Sequence, residues 1–302
     1  MLRGWSLLAG LTLSASVAVA QQPTTIAGRT VFIWRPTSPA AAPLVVFSHG
    51  FGGCAKQSMF LMEALAQHGY FVIAPNHKDA LCGMAMGGGG GGGGRGGRGG
   101  GGGRGMRRDV MDDSSSMAPF RKPREWSDTT FADRRNDIVA IVDAMRADTM
   151  FSNHVYFTQI ALIGHSLGGY TVLGMGGGWP AWKLAGVKAI LALSPYTEPF
   201  LIHGTLTGLT APVMYQGGTL DLGITPALRR SGGVYDVSPA PKYFVEFKGA
   251  GHLAWTERVE PFHERIVEYS LAFIDHYVRG SSSLDALHRK ESLVSDLRFR
   301  DK

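Results

Sequence analysis

The segment that most constrains the fold of this chain is residues 164–169, which read GHSLGG. The apolar run IALI at residues 160–163 comes directly before it, and the sequence YTVL, which is typical of a helix, comes directly after it. A strand, a sharp turn and a helix in this order need small residues at the turn, because the backbone there passes close to its neighbours. Such a turn holds the hydroxyl of Ser166 at the top of a sheet. The segment therefore predicts a nucleophilic serine on an α/β framework.

Strand patterns alternate with helix patterns along most of the chain. Short apolar runs that favour buried strands occur at residues 30–34, 44–47, 70–74, 160–163, 187–193, 213–216 and 243–247. Apolar residues recur at helical spacing within residues 58–68, 130–147 and 262–273. This alternation implies a mostly parallel central sheet flanked by helices on both faces. We therefore predict an α/β fold, with one catalytic domain over residues 21–280.

Residues 1–20 have the pattern of a secretory signal peptide. Arg3 gives a positive start, residues 7–17 are apolar, and residues 18–20 read AVA, a small-residue cleavage site. The apolar stretch is too short to cross a membrane comfortably. We expect cleavage after Ala20 and export to a periplasm or beyond, with an uncleaved anchor as the alternative.

Two polar segments depart from the alternating pattern. Residues 87–108 are almost entirely glycine and arginine, and we predict a disordered insert over residues 87–116 because it cannot bury apolar area. A tolerated low-complexity insert is the favoured interpretation, since no aromatic residues alternate with its arginines; a segment that binds nucleic acid or an anionic surface is the alternative. Residues 281–302 are polar and charged, which predicts a C-terminal tail or a loosely attached helix.

A base and an acid follow the serine in the order that this architecture requires. A serine hydroxyl is a poor nucleophile at neutral pH unless a base accepts its proton and a carboxylate orients that base. His252 follows the strand at residues 243–247 and is predicted to be the base, while Asp221 follows the strand at residues 213–216 and is predicted to be the acid. Glu198 is the chief alternative acid and Asp236 a weaker one. A carboxylate that only caps the next helix is the remaining interpretation of Asp221.

Backbone donors for a developing oxyanion are predicted at two positions. One is the N–H of Leu167, directly after the serine, and the other is the N–H of Phe51 in the sequence SHGFGG at residues 48–53. The glycines there allow a backbone N–H to face the site, with His49 supporting the loop from below. A glycine-rich turn that only reverses the chain is the alternative.

Three segments carry a resemblance to a known family. Residues 46–53 (VFSHGFGG), 65–77 (LAQHGYFVIAPNH) and 164–171 (GHSLGGYT) resemble the α/β-hydrolase superfamily. Within it, the chain is similar to bacterial esterases of the dienelactone hydrolase and platelet-activating factor acetylhydrolase type, to which polyester hydrolases and cutinase-like enzymes are related. The resemblance implies an α/β-hydrolase fold and a Ser–Asp–His triad at Ser166, Asp221 and His252. The sequence departs from dienelactone hydrolases proper, which use a cysteine nucleophile, and the Gly/Arg segment is foreign to the family pattern.

These patterns predict a serine esterase that cleaves carboxylic esters through an acyl-enzyme intermediate. An amide or peptide hydrolase on the same scaffold and a non-catalytic binding protein that uses the basic insert are the alternatives. Trp255, Tyr196 and Tyr215 are candidates to line a substrate pocket, with simple core packing as the other interpretation.

The remaining expectations concern ligands and the two cysteines. No metal-ligand cluster, phosphate loop or dinucleotide fingerprint appears in the sequence, so we expect no cofactor. We expect a small-molecule or polymeric ester as substrate, no nucleic acid and no stable membrane insertion, and the oligomeric state is left open. Cys54 and Cys82 each follow a predicted strand end and can pair in an oxidising compartment, or can remain two unpaired thiols in loops.

Overall fold

A computed structural model describes residues 23–81, 118–281 and 283–302 of the chain. The predicted signal peptide, the Gly/Arg segment and Cys82 lie outside these described residues. Cys54 is disulfide-bonded. The pairing of Cys54 with Cys82 remains a prediction from the sequence.

One nine-stranded sheet organises the described part of the chain. Its strands are β1 (Thr24–Ile26), β2 (Arg29–Trp34), β3 (Ala42–Ser48), β4 (Phe71–Pro75), β5 (Val155–His165), β6 (Val187–Leu193), β7 (Val213–Gly218), β8 (Lys242–Phe247) and β9 (Val294–Arg300). They lie in the order β1-β2-β4-β3-β5-β6-β7-β8-β9. Neighbours from β4 to β8 are parallel, and β1, β2 and β9 pair antiparallel at the two edges.

The connections between these strands contain helices and short helical turns. The α-helices are α1 (Met59–Gln67), α2 (Ala132–Ala147), α3 (Thr149–Ser152), α4 (Leu167–Leu173), α5 (Glu198–His203), α6 (Thr225–Arg229), α7 (Val234–Val237), α8 (His263–Arg279) and α9 (Asp285–His288). Single 3₁₀ turns span Pro119–Arg121, Pro123–Glu125, Pro180–Trp182, Thr205–Gly208, His252–Trp255 and Glu260–Phe262, and a π-helical turn spans Gly174–Gly178.

Both faces of the sheet are buried under helices, and strand β3 shows why. Leu44 and Val46 face a core that includes Ile138 and Ile141 of α2. Val45 and Phe47 point to the opposite face, into a core with residues from α1 and α8. Because successive side chains of a strand point to opposite faces, a continuous apolar run needs a cover on each side. The predicted α/β fold, a mostly parallel sheet flanked by helices on both faces, is confirmed.

The prediction of a C-terminal tail over residues 281–302 is wrong. Residues Val294–Arg300 form β9, which pairs antiparallel with β8 and completes one edge of the sheet. In this strand the sequence DLRFR at residues 296–300 alternates polar with apolar residues and only Val294 is buried, because an edge strand exposes one face and one side to water. Its charge made the segment resemble a tail, although its alternation is that of an edge strand.

The parallel block places the carboxyl ends of β3, β5, β6, β7 and β8 along one edge of the sheet. The β3 loop (residues 49–53) follows β3, and Ser166 follows β5. Ser194, Asp221 and His252 come just after β6, β7 and β8. The candidate functional residues therefore lie together at one edge of the sheet. In α/β sheets, ligands commonly bind in a crevice at the carboxyl ends of the strands.

Candidate active site

Ser166 occupies a sharp turn between β5 and α4. Its backbone has φ 55° and ψ −116°, a left-handed conformation that is strained for a non-glycine residue. A Cβ at Gly164 would overlap the Gly168 carbonyl, and a Cβ at Gly168 would overlap the Ser48 carbonyl. The two glycines flanking the serine are therefore required by close backbone contact, for the reason that the sequence motif suggested.

His252 lies between Ser166 and Asp221. Its Nε2 is 3.0 Å from Ser166 Oγ, and its Nδ1 is 3.2 Å from Asp221 Oδ2. Asp221 is 4% exposed, whereas the His252 side chain is 37% exposed. The structure thus brings together the serine, base and acid that the sequence placed on three separate loops. A hydroxyl that donates to an imidazole nitrogen can pass its proton to that nitrogen, which makes the oxygen nucleophilic.

The alternative acids do not lie in this arrangement. Glu198 is the first residue of α5, and Asp236 accepts a hydrogen bond from the Gly232 N–H. Within the described residues, neither carboxylate is hydrogen-bonded to His252. The end of β6, the strand before Glu198, supplies Ser194 instead, a residue that sequence reasoning missed.

Of the two residues predicted to supply oxyanion donors, Leu167 directly follows Ser166 and Phe51 lines the same cavity as Ser166. Leu167 begins α4, and Phe51 lies in the β3 loop. Among the hydrogen bonds of the described chain, neither backbone N–H has an acceptor, so both can donate to a ligand.

A series of hydrogen bonds connects the β3 loop to the backbone of His252. Gln57 Oε1 accepts from the Gly50 N–H at 2.7 Å, and Gln57 Nε2 donates to His165 Nδ1 at 2.7 Å. His165 Nε2 donates to the His252 carbonyl at 2.9 Å. Burial lowers the pKa of His165 to about 3, so its ring is neutral and can donate at one nitrogen while accepting at the other. Gln57 was not predicted, because a lone glutamine in a loop carries no motif.

An ion pair between a buried arginine and a partly exposed aspartate fixes the β3 loop. Arg134 of α2 is fully buried, bonds Asp79 Oδ1 at 2.5 Å and donates to the His49 carbonyl. Asp79 Oδ2 accepts from the Gly52 N–H at 3.2 Å. The pair therefore fixes backbone atoms on both sides of Phe51.

His49 supports the same loop, as the sequence predicted. Its Nδ1 donates to the Gly50 carbonyl at 2.7 Å, and its Nε2 accepts from the His77 N–H at 3.1 Å. Burial, aided by the charge of Arg134, lowers the pKa of His49 to about 4 and keeps the ring neutral.

Arg134→Met is expected to destabilise the protein strongly. Methionine retains most of the volume but leaves the His49 carbonyl without its donor and removes the cation beside Asp79, which is 21% exposed, so the loss is expected near the lower end of the about 3–5 kcal/mol typical of a broken buried pair. Urea denaturation measures the loss. The matched control is Arg146→Met in the same helix, whose pair with Asp143 is solvent-exposed and contributes at most about 1 kcal/mol. Equal losses in the two variants would show that the buried pair does not stabilise the fold.

A cavity of about 380 Å³ opens beside Ser166 and His252. Phe51, Leu81 and Leu253 give it an apolar wall. Cys54, Lys56, Glu257 and Arg258 also line it. The cavity has room for a small acyl or alcohol group next to the serine.

Two of the three aromatic residues proposed for the pocket are core residues. Tyr215 and Trp255 are 0% exposed, so a substrate cannot reach them. Tyr215 bonds Ser238 Oγ at 2.7 Å, and Trp255 Nε1 donates to Gln216 at 2.9 Å. Their assignment to the pocket is therefore corrected. Tyr196 is half-buried, and its N–H donates to the Ser166 carbonyl at 3.0 Å, so it alone of the three remains a candidate.

Two features, a metal-ligand cluster and a membrane-spanning helix, are absent from the described residues. These residues contain no group of three or more His, Cys, Asp or Glu side chains that could hold a metal ion. None of the helices in the described ranges is long and apolar enough to cross a membrane.

The sheet order, the strained serine turn and the loops at the carboxyl ends of the strands define an α/β-hydrolase fold. The family model for platelet-activating factor acetylhydrolase, isoform II, matches residues 29–86, which include β2, β3, the β3 loop, α1 and β4. This match confirms the resemblance drawn from the sequence and supports an ester hydrolase of lipase or esterase type. No curated protein matches the chain.

Proposed function

We propose that this protein is an exported serine hydrolase that cleaves carboxylic esters through an acyl-enzyme intermediate. The observation that carries the proposal is the hydrogen-bonded series from Ser166 Oγ through His252 to Asp221, with the serine on a strained turn. The family match supports the ester as the bond that is cleaved. Export is proposed from the signal-peptide pattern of residues 1–20.

In the first half of the reaction, Ser166 Oγ attacks the ester carbonyl carbon, and its proton moves to His252 Nε2. The carbonyl electrons form an oxyanion that the N–H groups of Phe51 and Leu167 stabilise. When the electrons return, the bond to the alcohol oxygen breaks, and that oxygen takes the proton from Nε2. The acyl group is left on Ser166 Oγ.

In the second half, water replaces the alcohol. His252 Nε2 accepts a proton from the water as the hydroxide oxygen attacks the acyl carbon. Collapse of the second tetrahedral intermediate releases the acid, and Ser166 Oγ recovers the proton from Nε2. Throughout, Asp221 stabilises the positive charge that the imidazole acquires.

A panel of p-nitrophenyl esters of increasing acyl length, with an aromatic polyester beside it, tests the proposed activity. Turnover is expected for short acyl groups, because the cavity beside Ser166 has a volume of only about 380 Å³. Matched p-nitroanilides are expected to react far more slowly, and equal rates on both would favour the amide hydrolase.

A fluorophosphonate probe supplies the second readout. It is expected to label Ser166 specifically, as read by peptide mass spectrometry. Absence of both ester turnover and Ser166 labelling would overturn the proposal and favour the non-catalytic binding protein.

A further inference from the structure

One hydroxyl that the mechanism above does not use contacts both His252 and Asp221. Ser194 directly follows β6 and is fully buried. Its Oγ lies 2.9 Å from His252 Nδ1, which is closer than Asp221 Oδ2 at 3.2 Å. The same hydroxyl donates a hydrogen bond to Asp221 Oδ2. Ser194 therefore lies between the base and the acid.

The proton positions follow from the partners. Because Ser166 donates to Nε2 of the neutral His252 ring, Nδ1 carries the ring proton. That proton points at two acceptors, Ser194 Oγ and Asp221 Oδ2. The hydroxyl of Ser194 can accept it while giving its own proton to the carboxylate. This arrangement selects the tautomer in which Nε2 is free to take a proton from Ser166.

The backbone at Ser194 is held in a conformation that aims its hydroxyl at this place. Its φ is 42°, in the left-handed region that disfavours residues with a Cβ. The Ser194 N–H donates to the Gln216 carbonyl of β7 at 2.8 Å, which fixes the turn. Strained positions of this kind persist where the surroundings hold them, and they cluster at functional sites.

We propose that Ser194 is a positioning residue that orients the imidazole of His252 together with Asp221. The inference rests on the proposed function and deepens it. Ser194 forms no bond to the substrate and exchanges no proton with it; it acts through His252. Ser194 Oγ and Asp221 Oδ2 both accept from Nδ1 and keep the ring aligned when it becomes charged. If one of these acceptors is removed, the other still orients the base in part.

Ser194→Ala and Ser194→Gly test this role with p-nitrophenyl acetate. Both remove Oγ, and glycine also relieves the positive φ, so the glycine variant keeps the fold if alanine does not. Loss of a hydrogen bond to a charged group is expected to lower kcat by about 10- to 100-fold, with KM within about twofold of wild type. Urea denaturation confirms that the variants are folded.

The control is Ser238→Ala, another buried serine, which bonds Tyr215 rather than the site. Its kcat is expected to equal that of the wild type. Unchanged kcat in both Ser194 variants would overturn the inference while leaving the esterase proposal intact. Absence of turnover and of Ser166 labelling in the wild type would instead overturn the proposed function and this inference with it.

A double-mutant cycle with Asp221→Asn tests whether Ser194 and Asp221 orient His252 together or whether Ser194→Ala only disturbs the packing around residue 194. If both groups hold the same Nδ1 proton, Ser194→Ala costs a larger factor in kcat when Asp221 is already replaced. Equal factors in the two backgrounds would show that Ser194 and Asp221 act independently, which contradicts a shared role in orienting His252.

Discussion

Ser166→Ala is expected to abolish ester hydrolysis, with a fall in kcat of about 10⁶-fold. The loss is this large because Ser166 Oγ is both the atom that forms the acyl-enzyme and the donor to His252 Nε2. Alanine keeps the strained backbone of the turn and removes a single oxygen, so the free energy of unfolding is expected to change by no more than about 1 kcal/mol. Turnover of p-nitrophenyl acetate and urea denaturation measure the two quantities.

His252→Ala is the companion variant, because the serine and the base are expected to act as one unit. His252→Ala alone and the double variant with Ser166→Ala are each expected to be about as inactive as Ser166→Ala. Losses that multiply in the double variant would mean that the two residues contribute separately. Residual hydrolysis of more than a few per cent in Ser166→Ala would place the nucleophile elsewhere.

The fold was largely predictable because buried parallel strands are continuous apolar runs. The predicted strand at residues 187–193 matches β6, and each of the other central strands is found at the predicted place with different end residues. The two edges were less predictable. β1 has three residues, and β9 alternates charged with apolar residues, so each lacks the apolar run that identifies a buried strand.

The residues that support the site were harder to foresee because their role depends on contacts distant in sequence. Arg134 and Asp79 lie 55 positions apart, and Gln57 and His165 lie 108 positions apart. One signal was present: Arg134 precedes Ile138 by four residues and so falls on the apolar face of α2. A charged residue on a buried helix face needs a partner, and the sequence alone did not identify it.

Ser194 illustrates a different limit. Its position after β6 could be read from the sequence, since the same reasoning placed Asp221 after β7. Its positive φ and the direction of its hydroxyl could not, because both arise from packing against β7 and the serine turn. The prediction of pocket residues failed for the same reason, because the sequence does not show which way a side chain points. Tyr215 and Trp255 lie near the correct strand ends but point into the core.

Asp221→Asn is expected to lower kcat by about 10³- to 10⁴-fold, since loss of the orienting carboxylate leaves the base with a wrong or mixed tautomer. Glu198→Gln is the matched control, because it makes the same carboxylate-to-amide change on the neighbouring strand connection. Its kcat is expected to stay within about twofold of wild type, since Glu198 begins α5 and is not among the hydrogen-bond partners of the His252 ring.

The relative size of these two effects decides which strand connection supplies the acid. A larger loss of kcat in Glu198→Gln than in Asp221→Asn would assign the acid to the connection after β6. It would also show that the 3.2 Å contact between His252 Nδ1 and Asp221 Oδ2 is not the one that catalysis uses. The expected size for Asp221→Asn also depends on Ser194, because its Oγ stays 2.9 Å from Nδ1 and still accepts the ring proton. We therefore expect the loss to lie near the lower value in the wild-type background and to approach the higher value when Ser194 is also replaced.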